Sequence, residues 1–138
     1  GYKNNRLEPW KIGIKNPFQK ESYPVLSVSV VDKTVVTSGV YERFFEQEGK
    51  KYHHIIDSKT GYPADTDVVS CTIIGDSSMI ADAIATAVLV MGKDEGLNFL
   101  KKETSVEGII ITNDKKIYST TGIKDNLKLL DSDFTIIQ

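Results

Sequence analysis

No run of apolar residues in this chain approaches the ~18 in succession that a membrane-spanning helix requires. The opening stretch "GYKNNRLEPW" has no apolar signal core either, so a direct membrane span is not expected. A single cysteine, Cys71, excludes an internal disulfide, a CxxC redox pair and a cysteine-rich metal cage. Its place in the apolar run "VVSCTIIG" fits a buried structural thiol. An excess of charge is lacking too: 17 basic and 19 acidic residues are interspersed and sum to a net charge of -2. No basic stripe of the kind that holds a phosphate backbone is present, so no nucleic-acid partner is expected. Internal repeats and low-complexity segments are also missing. There is no starting methionine, and "GYKNNRLE" reads as a turn or linker running into a strand, as expected of a piece of a longer protein.

What is present suffices for one compact domain, since 138 residues with 40% hydrophobic content can bury a core. "WKIGIK" (Trp10 to Lys15) and "VLSVSVVD" (Val25 to Asp32) alternate in period two and are rich in β-branched residues, the pattern of strands. "KTVVTSG" and "ERFFEQEGKKYHHII" continue it as an antiparallel meander, the second with a hairpin-like "EQEGKK" at Gly49. After a Gly-Pro loop, "VVSCTIIG" is a further strand, and "GDSS" opens a helix that Asp76 or Ser77 can cap and Gly92 can close. A second helix is expected over about Asp94 to Lys102. "VEGIIITND" and "KKIYSTTG" then form two strands about an Asn-Asp turn, followed by a polar tail and a last apolar stretch, "FTIIQ". Strands, a helix pair and strands again imply an α+β fold, an antiparallel sheet with helices packed on one face.

Between Met79 and Met91 the only polar residues are Asp82 and Thr86, and a helix apolar on nearly every side is expected to be buried. Ile80, Ile84, Ala87 and Met91 recur at the three and four spacing of a core stripe, with Asp82 off it. Burying an unpartnered carboxylate costs several kcal/mol, and a hydroxyl one turn later on the same face lets the two share a partner. Both groups offer oxygen, the ligand that Mg²⁺ and Ca²⁺ prefer, and Mg²⁺ takes only one or two protein groups beside water and phosphate. The alternative is an aspartate favouring the helix dipole and a threonine bonding back to a carbonyl.

"KKYHHIIDSKTGYPADTD", Lys50 to Asp67, gathers two histidines, an aspartate and a Gly-Tyr-Pro turn. His53 and His54 are adjacent, so in a strand they face opposite sides and are not a metal pair. Asp57, Thr60, Gly61 and Pro63 either expose backbone N–H groups as an anion nest or form a wide hairpin loop beside a solvated histidine. Ser38-Gly39 in "TSGVYERFF" is open in the same way: it contacts a phosphate or simply turns the chain.

"SGVYERFFEQEGKKYHHIIDSKTGYPAD" followed by "VSCTIIGDSSMIADAIATAVLVMG" closely resembles the C-terminal half of the FAD:protein FMN transferases, the ApbE family, once labelled thiamine biosynthesis lipoproteins. Its histidine segment reads H-I-[IL]-D-P-x-T-G-x-P, which puts His54 on the family histidine and Ser58 where proline is usual. That departure loosens the turn. The family's A-D-A-x-A-T-A helix, whose Asp and Thr are magnesium ligands, matches Asp82 and Thr86. The likeness runs over roughly Trp10 to Gly122 and implies a subdomain of the T-fold type, with 1–138 as one domain and the N-terminal half outside the chain.

The resemblance implies Mg²⁺-dependent transfer of FMN from FAD to a Ser or Thr hydroxyl of a target flavoprotein, with release of AMP. His54 would then take the hydroxyl proton or, protonated, bind a phosphate oxygen, and Ile56 and Asp57 would line the flavin or diphosphate pocket through their backbone. It also implies that a third magnesium ligand and most FAD contacts lie on the other half, and that the full-length protein is extracytoplasmic and lipid-anchored. A non-catalytic flavin-binding or protein-interaction module is the alternative.

Overall fold

The computed structural model describes residues 1–3, 7–19, 23–41, 44–47, 50–53 and 55–137, and their side chains apart from 44–47 and 50–53. In chain order the elements are β1 (Trp10–Lys15), β2 (Pro24–Val30), β3 (Thr34–Gly39), β4 (Phe44–Gln47), β5 (Lys50–His53), β6 (Val68–Gly75), α1 (Ser78–Met91) and α2 (Lys93–Lys102). Then follow β7 (Glu107–Thr112), β8 (Lys116–Ser119), a 3-10 turn (Thr121–Asn126), β9 (Leu127–Leu129) and β10 (Thr135–Ile137).

The central sheet has five strands in the order β10-β8-β7-β6-β3, all antiparallel neighbours except the parallel pair β10 and β8. Side-chain alternation splits its core in two. Cys71 and Ile73 of β6 and Ile110 of β7 point to the helices, where they pack with Ala81, Ala85, Val88, Leu89 and Leu100. Ile74, Ile109, Ile111 and Ile117 point the other way, onto Ile14, Val25, Leu26, Val28 and Val30 of the small sheet β1-β2-β9. The α+β architecture with helices on one face is therefore as expected, and the opposite face carries a second sheet. Cys71 is fully buried, and burial pushes its thiol far above the ordinary range, as for an inert structural cysteine.

The meander ends sooner than the strand pattern implies. After β2 the chain turns through Asp32, whose φ is 51°, and enters the other sheet, so β3 pairs with β6 and β2 takes β9 from the tail as its second neighbour. β9 is only three residues long and the 3-10 turn before it is polar, too little periodicity to stand out in a sequence. β4 and β5 pair antiparallel as expected, while Gly49 of their connection lies outside the described residues. Ser77 caps α1 by accepting the Ile80 N–H, leaving Asp76 to an ion pair with Lys33 at 2.7 Å. Among the described residues no helix is long and apolar enough to cross a membrane.

Candidate functional site

The phase of α1 differs from the expected one. Its buried residues are Ala81, Ala85, Val88 and Leu89. Ile80 is 49% exposed and Met91 37%, with Ile84 and Ala87 half-buried, so the stripe of Ile80, Ile84, Ala87 and Met91 is not the core stripe. In a helix this rich in alanine and aliphatic residues, a three and four spacing can be drawn along more than one face. Small Ala81 and Ala85 let the helix axis approach β3 and β6 closely, with Val88 and Leu89 buried beyond them and Ile80 and Met91 turned outward. Asp82 is consequently exposed, not buried as an acid in a core helix would be, and Thr86, one turn on, is exposed beside it.

The exposed oxygens gain a third from β3. Register sets Ser38 directly opposite Cys71, whose side chain lies on the helix side of the central sheet, so Ser38 faces α1 as well. Its Oγ stands 3.4 Å from Thr86 Oγ1. In the sequence Ser38 stands out only as a phosphate contact or a turn residue. Its link to Thr86, 48 residues away, depends on strand register and has no local signature.

These donors suit a hard divalent cation, being one carboxylate and hydroxyl oxygens with open access. Among the described residues no group of three or more His, Cys, Asp or Glu could form a complete protein cage. A partial oxygen shell of this kind is what Mg²⁺ accepts, since it retains water and substrate phosphate. The residues present therefore suit that ion in chemistry, and Asp82 and Thr86 are the ones that would hold it.

The segment 55–67 is more closed than an anion nest. Asp57 N–H donates to the Tyr62 carbonyl (2.9 Å), Thr60 and Gly61 N–H donate back to the Asp57 carbonyl (3.2 and 2.8 Å), and Lys59 N–H donates to Asp57 Oδ1 (2.9 Å). Tyr62 N–H is taken by Thr60 Oγ1 at 3.3 Å. Gly61, at φ 73°, supplies the left-handed residue that lets the chain reverse. The N–H groups expected to face an anion are spent within the turn, and the hairpin-loop alternative describes this stretch.

Asp57 thus serves the turn with both carbonyl and carboxylate, and its own N–H is engaged. Ile56 is different. It forms a bridge with Pro63 between the bonds Asp57 N–H to Tyr62 O and Ala64 N–H to Ile55 O, so its own N–H and carbonyl point away from that partner. Its side chain is 49% exposed, while Ile55 is buried in the core shared with Ala81 and Ala85. The loop is thereby anchored beside α1, and Thr66 Oγ1 ties its far end to the Leu89 carbonyl at 2.8 Å. Among the described residues no hydrogen bond or ion pair joins Asp57 to Asp82 or Thr86. His54 lies outside the described residues.

One substitution tests the turn. The bond from Thr60 N–H to the Asp57 carbonyl makes Ser58 the second residue of a β-turn, where proline's fixed φ is favoured. Ser58→Pro is expected to raise stability by about 0.4–1 kcal/mol through the unfolded chain. Denaturant titration reads this, and a destabilised variant would show that Ser58 has a backbone conformation proline cannot adopt.

Comparison with known proteins shows the family and the fold. The sequence profile described as the ApbE family matches residues 1–110. The FAD:protein FMN transferase of Treponema pallidum (strain Nichols) is 46% identical over 131 residues, covering 95% of this chain and 36% of the relative. The structure of the ApbE protein from Thermotoga maritima superposes with a TM-score of 0.75 at 36% identity, over 86% of this chain and 38% of that one. The flavin transferase ApbE from Vibrio cholerae gives a TM-score of 0.72 at 31% identity, over 89% and 39%. The chain spans little more than a third of the length of these relatives. With the profile matching most of its residues and the same fold in solved members, this chain belongs to the ApbE family.

Proposed function

We propose that the full-length protein is an FAD:protein FMN transferase, as its relatives are named. The observation that carries this reading is the pair Asp82 and Thr86, exposed one turn apart on a helix otherwise apolar from Met79 to Met91. Magnesium bound there would neutralise charge on the FAD pyrophosphate. Asp82 brings the negative charge that holds the ion and Thr86 a neutral oxygen. Ile56, through its outward backbone groups, and Asp57, through the turn it organises, shape the adjoining diphosphate or flavin pocket.

In the proposed transfer, a Ser or Thr hydroxyl of a target flavoprotein attacks the phosphorus of the FMN moiety. The bond to the bridging pyrophosphate oxygen breaks, and AMP leaves with that oxygen. His54 either takes the hydroxyl proton or, protonated, binds a phosphate oxygen. An extracytoplasmic, lipid-anchored location belongs to the same proposal.

The experiment is to supply full-length protein with FAD, Mg²⁺ and a peptide bearing a Thr acceptor, and to follow AMP and flavinylated peptide. Both are expected in equal amounts. FAD binding without AMP would instead assign the flavin-binding module. Residues 1–138 alone are expected to give no transfer, because among the described residues they hold only part of a metal shell. Flavinylation by that piece would show that the chain carries a complete site.

A further inference from the structure

We propose that Ser38 is a positioning residue for Thr86, orienting the threonine hydroxyl toward the divalent cation. This rests on the metal reading of Asp82 and Thr86 given above. A hydroxyl that ligates a cation through a lone pair must send its proton elsewhere, and the metal makes that proton a stronger donor. Ser38 Oγ, 3.4 Å from Thr86 Oγ1, stands where that proton would go. At this separation the contact is longer than an ordinary hydroxyl pair. Side-chain rotation of Thr86 toward β3, with its proton committed there, shortens it as the ion binds.

The fold gives the contact its direction. Ser38 lies on β3, the edge strand of the central sheet, on the side facing α1, as do the half-buried Val36 and Val40 two residues to either side. Thr37, on the opposite side, is engaged with Thr72 of β6 at 2.8 Å. Neighbouring hydroxyls on one strand thus have separate tasks: Thr37 ties strand to strand, and Ser38 reaches the exposed helix face that carries Asp82 and Thr86. With the Thr86 proton accepted by Ser38, a lone pair of the Thr86 oxygen is left to face the ion. Outer partners of this kind fix ligand orientation and are worth about ten- to hundredfold in metal affinity.

The test is Mn²⁺ binding to the full-length protein, read as loss of the free-ion electron paramagnetic resonance signal, for wild type, Ser38→Ala, Ser38→Thr, Thr86→Ala, Asp82→Ala and the double variant Ser38→Ala/Thr86→Ala. Ser38→Ala is expected to weaken Mn²⁺ binding about ten- to hundredfold. Ser38→Thr keeps the hydroxyl and is expected to restore most of the affinity. The double variant should bind no more weakly than Thr86→Ala alone, since Ser38 acts through Thr86. A Ser38 hydroxyl that only fastens the strand to the helix would lower the melting temperature and leave Mn²⁺ affinity unchanged, which overturns the proposal, as would additive losses in the double variant. If Asp82→Ala binds Mn²⁺ like wild type, the metal reading itself is rejected and the Ser38 role with it. Asp82→Ala weakened beside an unaffected Ser38→Ala rejects only the Ser38 role.

Discussion

Asp82→Ala in the full-length protein is expected to raise the Mg²⁺ concentration needed for half-maximal FMN transfer by about a hundredfold. A unit negative charge about 2 Å from a divalent ion contributes about 4 kcal/mol even at the dielectric constant of water. Desolvation of the carboxylate offsets part of this, leaving on the order of 3 kcal/mol, or about a hundredfold. The fold should barely register the change. Asp82 is exposed, and alanine is the better helix former, so stability should stay within about 0.5 kcal/mol of wild type. The helix-dipole alternative predicts the reverse pattern and is weak here on geometry. Ser77 is the N-cap and the first turn of α1 contains no acid, which places Asp82 beyond the turn where the dipole acts. Asp82→Asn separates charge from oxygen, and should recover only a small part of the lost affinity. An unaltered magnesium titration in both variants, with a lowered melting temperature, would reject the metal assignment.

The sequence made some of this legible and concealed the rest for physical reasons. β6 and β7 announced themselves as β-branched runs because both lie inside the central sheet, where both faces are apolar. Ser77 and Gly92 bounded α1 because capping is local chemistry. Which face of α1 is buried was not local. Alanine at 81, 83, 85 and 87 fits any phase, and only the close approach to β3 and β6 selects Ala81 and Ala85 for the core. The partner of β2 was hidden as well, since β9 is short and arrives nearly a hundred positions later. At the site, Asp82 and Thr86 could be paired from their spacing alone. Ser38 could not be joined to them without the register of β3 on β6. The turn after Ile56 had the right residues for an anion nest, but how its N–H groups are spent is decided by the bonds within Asp57 to Tyr62.

His54→Ala is expected to abolish most transfer activity, and His53→Ala to leave kcat and KM near wild type. Successive residues of an extended chain point to opposite sides. His53 closes β5, across from Phe44, and the family motif selects the next residue, His54. Two roles for His54 give different kinetics. As general base it acts on the transferred proton, so its loss should lower kcat by about a hundredfold or more with KM for FAD little changed. As a phosphate ligand it acts on bound FAD, so KM should rise and kcat fall less. The pH profile provides an independent sign. A base works as the neutral imidazole, so wild-type kcat should fall as pH is lowered through the histidine range, with that limb absent in His54→Ala. A phosphate ligand works as the cation, so FAD binding should weaken as pH rises through the same range. Inactive His53→Ala beside competent His54→Ala would contradict both roles together. That outcome would make His53 the family histidine, and the alignment of Ile56 and Asp57 with the family motif would move by one residue with it.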